Sequence, residues 1–504
     1  MELFTQRHTL KIAGELSCFD RVVITGTIPA ICYADGMTGY LRFKGVRIFD
    51  YTKWAQPLRE QVRANAQRLA QQAGLEIEFL KHCDDRKEAL VRQKLEKRGT
   101  HEGLVCIFSA MEACSSYTPW HDKQTHKTFL KGDSGKCLHY YFYFIDRELG
   151  LCYLRVPTWA PFRLQFYDNG HNALTAALNK RQIGQTTLDN AFMRIADWDK
   201  AQKLADAVDG EKLHRKLDQY ARRLCPPIAQ FPDGYHWSLM QVEYATDIVF
   251  NRREDLAPIY EALVRTAVHA VKAEHVATFL GRKLHGNFEG EVGNRFETRI
   301  QGTCIKHQMA GVSIKMYDKG GLILRIETTV NDVSFFKHYR RVEHKDGSWA
   351  MKTAALKKTI YSLPVLLELL WASNRRYLEF ISTLEDPSSG LHDLEKIAHP
   401  VRAGERSLPG FNLFDGEDLD LFRALMRGEF NISGVCNRNL RELLDKSGHQ
   451  VSRLLKKLRV HGLIKKVGHC YKYYLTALGR RVTATALRLR EMVIIPALGA
   501  ASVG

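Results

Sequence analysis

In the segment 53–73, Trp54, Leu58, Val62 and Leu69 recur at near-helical spacing, which predicts an amphipathic helix. Short β-rich runs lie around it, at 21–28, 75–80 and 104–108, with a highly charged helix between the last two. Segments 139–145 and 151–156 read as a hairpin turning through Asp146 and Gly150. Three short helices then lead to Cys225, where Pro226 and Pro227 mark a boundary. From 237 to 273 the pattern reads as one long helical stretch. A second hairpin, 313–317 with 322–330, turns through Asp318, Lys319, Gly320 and Gly321, and a helix follows over 364–383. Pro, Gly, Ser and charged residues crowd 386–414, as in a linker.

Beyond the linker, 415–426 reads as a helix with acidic residues at its start, as the macrodipole favours. Asn437 is placed to cap a second helix ending near Asp445, and Ser447-Gly448 makes the turn. In the third helix, 450–461, Val451, Leu454, Leu455 and Leu458 fall on one face and Ser452, Arg453, Lys456, Lys457 and Arg459 on the other. Gly462 ends that helix. Segments 463–467 and 471–475 then form a short hairpin with Gly468-His469 at its tip, and Thr476 caps a last helix over 477–490. This order of elements predicts an α/β multidomain body followed by a C-terminal winged helix-turn-helix domain. The expected divisions are an N-terminal α/β domain at 1–225 and a central helical and β-hairpin domain at 226–385. A linker at 386–414, the winged helix at 415–490 and a tail at 491–504 complete the chain.

Charge sharpens this picture. The 504 residues carry 74 Lys and Arg against 56 Asp and Glu, a net charge of +18. Segment 431–490 holds fourteen of the basic residues and two acidic ones, so it carries +12 and leaves +6 to the other 444 residues. A patch so concentrated, on a helix with one apolar face, suits phosphate contacts and base edges in the major groove of duplex DNA. The candidate DNA-binding residues are Ser452, Arg453, Lys456, Lys457, Arg459, Lys466, His469 and Lys472. RNA, single-stranded DNA and a second copy of the chain are further partners left open. The eleven cysteines form no Cys-x-x-Cys pair, no apolar N-terminal segment resembles a signal peptide, and the apolar run 365–372 is too short to span a bilayer. A cytoplasmic protein with reduced thiols and no membrane partner is expected.

The run Val451-Ser452-Arg453-Leu454-Leu455-Lys456-Lys457-Leu458, with Gly462-Leu463-Ile464-Lys465-Lys466 after it, resembles winged-helix regulators of the MarR type. That resemblance implies DNA binding and dimerisation. Ser313-Ile314-Lys315-Met316-Tyr317-Asp318-Lys319 with Leu324-Arg325-Ile326-Glu327 is similar to a segment of plasmid and phage rolling-circle replication initiators. This second likeness implies nicking by a Tyr nucleophile beside a metal-bound carboxylate. Those initiators also carry two metal-binding histidines flanking one hydrophobic residue, a triplet this sequence lacks; His139 stands alone before Tyr140 and Tyr141.

Metal-dependent phosphodiester chemistry needs clustered carboxylates, because divalent ions must be held against the attacking and leaving oxygens. Asp20 at the start of a strand, Asp146 at a strand end, Glu243 and Asp247 four apart on a helix, and Glu327 are the candidate catalytic residues. Of these, Glu243, Asp247 and Glu327 are candidate ligands for Mg²⁺ or Mn²⁺. His236 lies seven residues before Glu243. Each has a structural alternative: a cross-strand pair with Lys315 for Glu327, a cap, turn or ion pair for the rest, and a turn for Asp318. A zinc site from His121, His126, Cys137 and His139 competes with an ordinary polar loop, and Tyr140 to Phe144 reads as a strand buried on both faces. Two functions follow. One is a mobile-element or replication-associated DNA-binding protein whose α/β part processes or remodels nucleic acid, as a metal-dependent nuclease or transposase-like enzyme. The other is a non-catalytic MarR-like transcriptional regulator whose N-terminal region senses a ligand or partner.

Overall fold

The computed structural model describes residues 2–81, 87–282, 292–299, 302–382, 387–404, 406–467 and 471–500. It is a mixed α/β protein in two compact units, Met1–Thr383 and Leu384–Gly504. Among the described residues no helix is long and apolar enough to cross a membrane.

The first unit is built on one eleven-stranded sheet. Its strands, in chain order, are β1 (Ile12–Thr27), β2 (Ile77–Phe79), β3 (Gly103–Asp122), β4 (Lys127–Asp146), β5 (Gly150–Pro157), β6 (Leu164–Asp168), β7 (His236–Phe250), β8 (Val292–Arg299), β9 (Gly302–Met309), β10 (Val312–Lys319) and β11 (Ile323–Val330). The spatial order is β8-β9-β10-β11-β7-β1-β6-β5-β4-β3-β2, antiparallel except for the β2–β3 pair. Strands from both sides of Pro226-Pro227 therefore share one sheet, and the expected boundary at 225 falls inside a single core.

One face of the sheet packs under α1 (Tyr51–Ala73), α3 (Gly210–Leu224), α4 (Arg253–Ala270) and α5 (Leu363–Ser382) in one large apolar core. The α1 residues Leu58, Val62 and Leu69 are buried there, as their spacing predicts, while Trp54 packs at its edge. On the opposite face α2 (Gly170–Lys180) and the helix Trp198–Asp206 cover Leu16 and Cys18 of β1. Tyr140, Tyr141, Phe142 and Tyr143 are buried on the two faces of β4.

The helix expected over 237–273 is instead β7 followed by α4. Ten of the fifteen β7 residues are buried, and a strand covered on both faces lacks the apolar–polar alternation that distinguishes it from a helix. Glu243 and Asp247 still share a face, because residues an even number apart do so in an unbroken strand, and an extra residue at Met240, between the pairs Val23–Gln241 and Ile24–Leu239, keeps His236 on that face too. Asp20 also shifts role: β1 begins at Ile12, so Asp20 sits in mid-strand, at a bulge between the pairs Phe19–Tyr244 and Arg21–Glu243.

In the second unit the expected linker is folded. Pro387–Ala398 is a helix, Val401–Ala403 pairs with Arg406–Leu408, and Ile397 and Phe411 join the unit's core. Helices α6 (Gly416–Leu425), α7 (Asn437–Leu444), α8 (Gly448–Val460) and α9 (Ala477–Leu489) follow, with strands Ile464–Lys466 and Tyr473–Leu475 paired between α8 and α9. Val435, just before α7, bridges to Tyr473 and extends that small sheet. Ser447 and Gln450 form a reciprocal capping box at the start of α8, and Thr476 caps α9. Asn437 is not the cap of α7, a place taken by Cys436. Its amide donates to Gly448 O at 3.1 Å and Ser452 Oγ at 2.9 Å, which fastens α7 to α8.

Candidate functional site

On the sheet face opposite the large core, three central strands place charged groups in the interior. Every residue of β11 is buried, yet it carries Arg325 and Glu327 on one face. A buried charge is costly unless it is paired, and both are. Arg325, fully buried, donates to Asp247 Oδ1 at 2.6 Å and Oδ2 at 2.7 Å, and to Asp20 Oδ2 at 3.2 Å. Glu327 accepts from its cross-strand neighbour Lys315 at 2.6 Å and from the Tyr317 hydroxyl at 2.9 Å.

Asp20 is held from several sides. Asn190 Nδ2 donates to both of its oxygens at 2.7 and 2.8 Å, and Lys319 Nζ donates in turn to Asn190 Oδ1. His171, in the first turn of α2, brings Nδ1 to 3.3 Å of Asp20 and Nε2 to 3.9 Å of Asp247. Burial would raise the Asp20 carboxyl, but the His171 contact, the Arg325 charge and Asn190 outweigh it and hold Asp20 far below its ordinary value. Asp247 is also lowered, Arg325 overriding its burial. Burial works against the imidazolium of His171, yet Cys18 and the two carboxylates raise its pKa. Arg325 Nη2 lies 3.3 Å from Nε2, a contact between two donors once the ring is protonated, so the carboxylates are what hold the ring.

Glu243 differs from the others. Its nearest cation, Arg21, is 3.7 Å away and half-exposed, and burial together with the charge of Glu327 pushes its pKa upward. Among the described residues, Asp20, Glu243 and Glu327 alone bring three ligand atoms of metal-binding type within 4.8 Å of one another. They come from β1, β7 and β11, which are neighbours in the sheet although 223 and 84 residues separate them in sequence. Oxygen ligands of this kind suit a hard divalent cation such as Mg²⁺ or Mn²⁺.

Two of the five expected carboxylates stand outside this triad. Asp247 is committed to Arg325. Asp146, at the end of β4, accepts from Lys216 at 3.0 Å, from Tyr220 at 2.5 Å and from the backbone of its own turn, so it is a structural residue. Asp318 likewise accepts from Gly321 N at 2.8 Å in the β10–β11 turn. The zinc alternative does not assemble. His121 pairs across the ladder with Thr128, whereas Cys137 pairs with Glu112, nine rungs or about 30 Å further along the hairpin. Lys315 is the cross-strand partner expected for Glu327, Arg325 and Tyr317 stood in the motif without a partner, and His171, Asn190 and Arg21 were missed altogether. For Arg325 a signal existed, since a lone Arg in a strand as apolar as Ile323–Val330 must have a buried partner.

On α8, Val451, Leu455 and Leu458 are buried, and Ser452, Arg453, Lys456 and Arg459 are exposed. Ser452 is tied to Asn437 and to Gly448 O. Lys457 is not a free contact: it pairs with Asp418 of α6 at 3.0 Å and lies 3.9 Å from the Phe411 ring centre. Lys466 and Lys472 are exposed beside the hairpin, whose tip, with His469, lies outside the described residues. No protein-family model, no curated protein and no solved structure matches this chain.

Proposed function

We propose that the chain is a DNA-binding protein of the mobile-element or replication-associated kind. In this reading the second unit is a winged helix that finds a site on duplex DNA, and the first processes nucleic acid at Asp20, Glu243 and Glu327 with Mg²⁺ or Mn²⁺. The observation that carries the catalytic half is the convergence of three carboxylates from three adjacent strands, one of them held only by a 3.7 Å contact with half-exposed Arg21. A divalent ion bound there supplies charge stabilisation to a phosphoryl oxygen. The chain's own residues do the positioning. Arg325, His171 and Asn190 fix Asp20, while Lys315 and Tyr317 fix Glu327. The DNA half is supported by the apolar seating of α8 under exposed Arg453, Lys456 and Arg459, with Lys466 and Lys472 alongside for phosphates.

One observation favours the second reading, a non-catalytic regulator of MarR-like type. Lys315 and Arg325 already neutralise Glu327 and Asp20 without any ion. A paired assay separates the two. Wild type and Glu243→Gln are tested for Mg²⁺- or Mn²⁺-dependent cleavage of duplex and single-stranded DNA, and in parallel for DNA affinity. The proposal expects cleavage by wild type, its loss in the variant, and equal affinity. Wild type that binds but cleaves nothing leaves the regulator.

A further inference from the structure

β6 pairs with β1 only from Val22 to Gly26 and stops at Asp168, so the first half of β1 has no strand on that side. The space is roofed by helices and forms a cleft, open on one side, of about 330 Å³, within the range of small-molecule sites. Ala173, Ala176 and Ala177, on one face of α2, line it together with Leu204, Val208 and Leu213. Asp168 lines the cavity with Oδ1 fully buried and without a hydrogen-bond partner. Burial first, and the charge of Asp146 second, push its pKa up to about 7, so near neutrality this carboxyl both accepts and donates hydrogen bonds. The lining also includes Arg147, Lys180 and Arg181, none with a carboxylate partner among the described residues. Lys212 and Lys216, by contrast, are paired with Glu148 and Asp146.

These features restrict the ligand. A purely apolar molecule would cover the Asp168 carboxyl, which its backbone hydrogen bond from Asn169 satisfies only in part, at a cost on the order of 1–3 kcal/mol. An inorganic anion would meet the cations and leave the apolar walls empty, and an organic amine would find Glu148 and Asp209 already engaged, by Lys212 and Lys216 and by backbone amides, beside cations without a carboxylate partner. A flat, largely apolar ring with hydrogen-bonding nitrogens and an anionic tail satisfies all three. We propose that this cavity binds a mononucleotide, its base against the alanine face of α2 and Leu204, Val208 and Leu213 with a nitrogen edge on Asp168, and its phosphate on Arg147, Lys180 and Arg181. The chain then links this cavity to the acidic triad through four consecutive residues. Asp168 and Gly170 line the cavity, while Asn169 donates to Asp20 at 3.4 Å and His171 flanks it. The inference uses none of the three metal-site carboxylates, so a chain that cleaves no DNA leaves it intact.

Calorimetric titration of the full chain tests it, with AMP, GMP, CMP and UMP, their nucleosides, and inorganic phosphate. At least one nucleotide is expected to bind saturably, about tenfold or more tighter than its nucleoside and than phosphate. Lys180→Ala with Arg181→Ala, both surface changes, should weaken that nucleotide about tenfold and its nucleoside little. Asp168→Asn should weaken nucleotide and nucleoside alike. Ala177→Leu fills the slot and should block both, with a melting curve confirming a folded chain. Absence of saturable binding by all four nucleotides overturns the proposal. So does phosphate binding as tightly as the nucleotide, or undiminished binding in folded Ala177→Leu.

Discussion

Glu243→Gln gives opposite outcomes for a metal site and for a structural ion pair, which makes it the most informative substitution in the first unit. Glu243 has a folded pKa above its ordinary 4.5, owing to burial and then to Glu327. An acid with a raised folded pKa binds protons more tightly when folded, so it opposes folding progressively as pH rises above 4.5. At neutral pH the amide removes that opposition. What it gives up is the 3.7 Å contact with half-exposed Arg21, worth about 0–1 kcal/mol. The melting temperature without metal should therefore stay or rise. With metal the sign reverses. An ion at a hundred times its Kd stabilises the fold by about 2.7 kcal/mol. A 383-residue unit unfolding with about 2.1 cal/mol/K per residue has an unfolding entropy of about 0.8 kcal/mol/K, so wild type should gain about 3 °C. The variant should gain about 1 °C or less. Thermal denaturation at pH 7 with a titration of Mn²⁺ or Mg²⁺ reads both effects. A metal-free melting temperature lowered by more than about 2 °C would refute the reasoning, because Glu243 would then be holding the fold together. A full ion-dependent gain in the variant would refute it equally.

Arg325→Met should leave Asp247 and Asp20 buried without their cation and lower stability by about 3–5 kcal/mol, or about 4–6 °C in the first unit's melting transition. Both carboxyls are held below their ordinary 3.8, so their contribution is present above that pH and lost as pH falls through and below it; the variant's acid denaturation curve should lack the part due to Arg325 and keep the part due to His171 and Asn190. Arg453→Ala with Lys456→Ala should weaken duplex binding and reduce the slope of log affinity against log salt by about 1.8, measured by mobility shift at several salt concentrations; an unchanged slope removes α8 from the interface. Lys457→Ala should instead destabilise the second unit by about 1–3 kcal/mol, since Asp418 loses its buried partner, and a melting curve no different from wild type would contradict that assignment.

How much of this was legible in the sequence depended on whether the signal was local. Spacing and turn chemistry placed α1, α5, α8, α9 and the hairpins β4–β5 and β10–β11 close to where they lie, but not the longer β3–β4 hairpin. The pair Lys315–Glu327 followed from counting across the Asp318–Gly321 turn. What escaped was set by tertiary cover. β7 is buried on both faces, with Val242, Tyr244 and Ile248 on the core side and Ala245, Asp247 and Val249 on the other, so the apolar–polar alternation is erased. The folded segment 387–408 looked like a linker because Ser, Gly and Pro are frequent there, while Ile397 and Phe411 are too few to show a period. Among the carboxylates, residue type identified candidates and only strand order could sort them. Asp20, Glu243 and Glu327 converge because β1, β7 and β11 are neighbours, whereas Asp146 ends a strand three positions away from β1 on the other side of the sheet.

The bulge at Asp20 explains how two groups of opposite charge from adjacent positions reach the same face. Phe19 and Val22 both enter the large core. Residues three apart in an unbroken strand point to opposite faces, so an extra residue must be absorbed between them. With Phe19 opposite Tyr244 and Arg21 opposite Glu243, that extra residue is Asp20. The two residues left between the core positions both turn to the polar face. Arg21 approaches Glu243 from solvent, while Asp20 drops into the interior beside Arg325 and Asn190. Without the bulge one of the two would be driven into the apolar core, where an unpaired charge costs several kcal/mol. The order Phe-Asp-Arg-Val thus requires the bulge once both apolar residues enter the same core, because no regular strand can turn residues three apart to one face. The same displacement that spares the core sets a rigidly held carboxylate next to Glu243, the one acid in the cluster whose cation, Arg21, stands off at 3.7 Å.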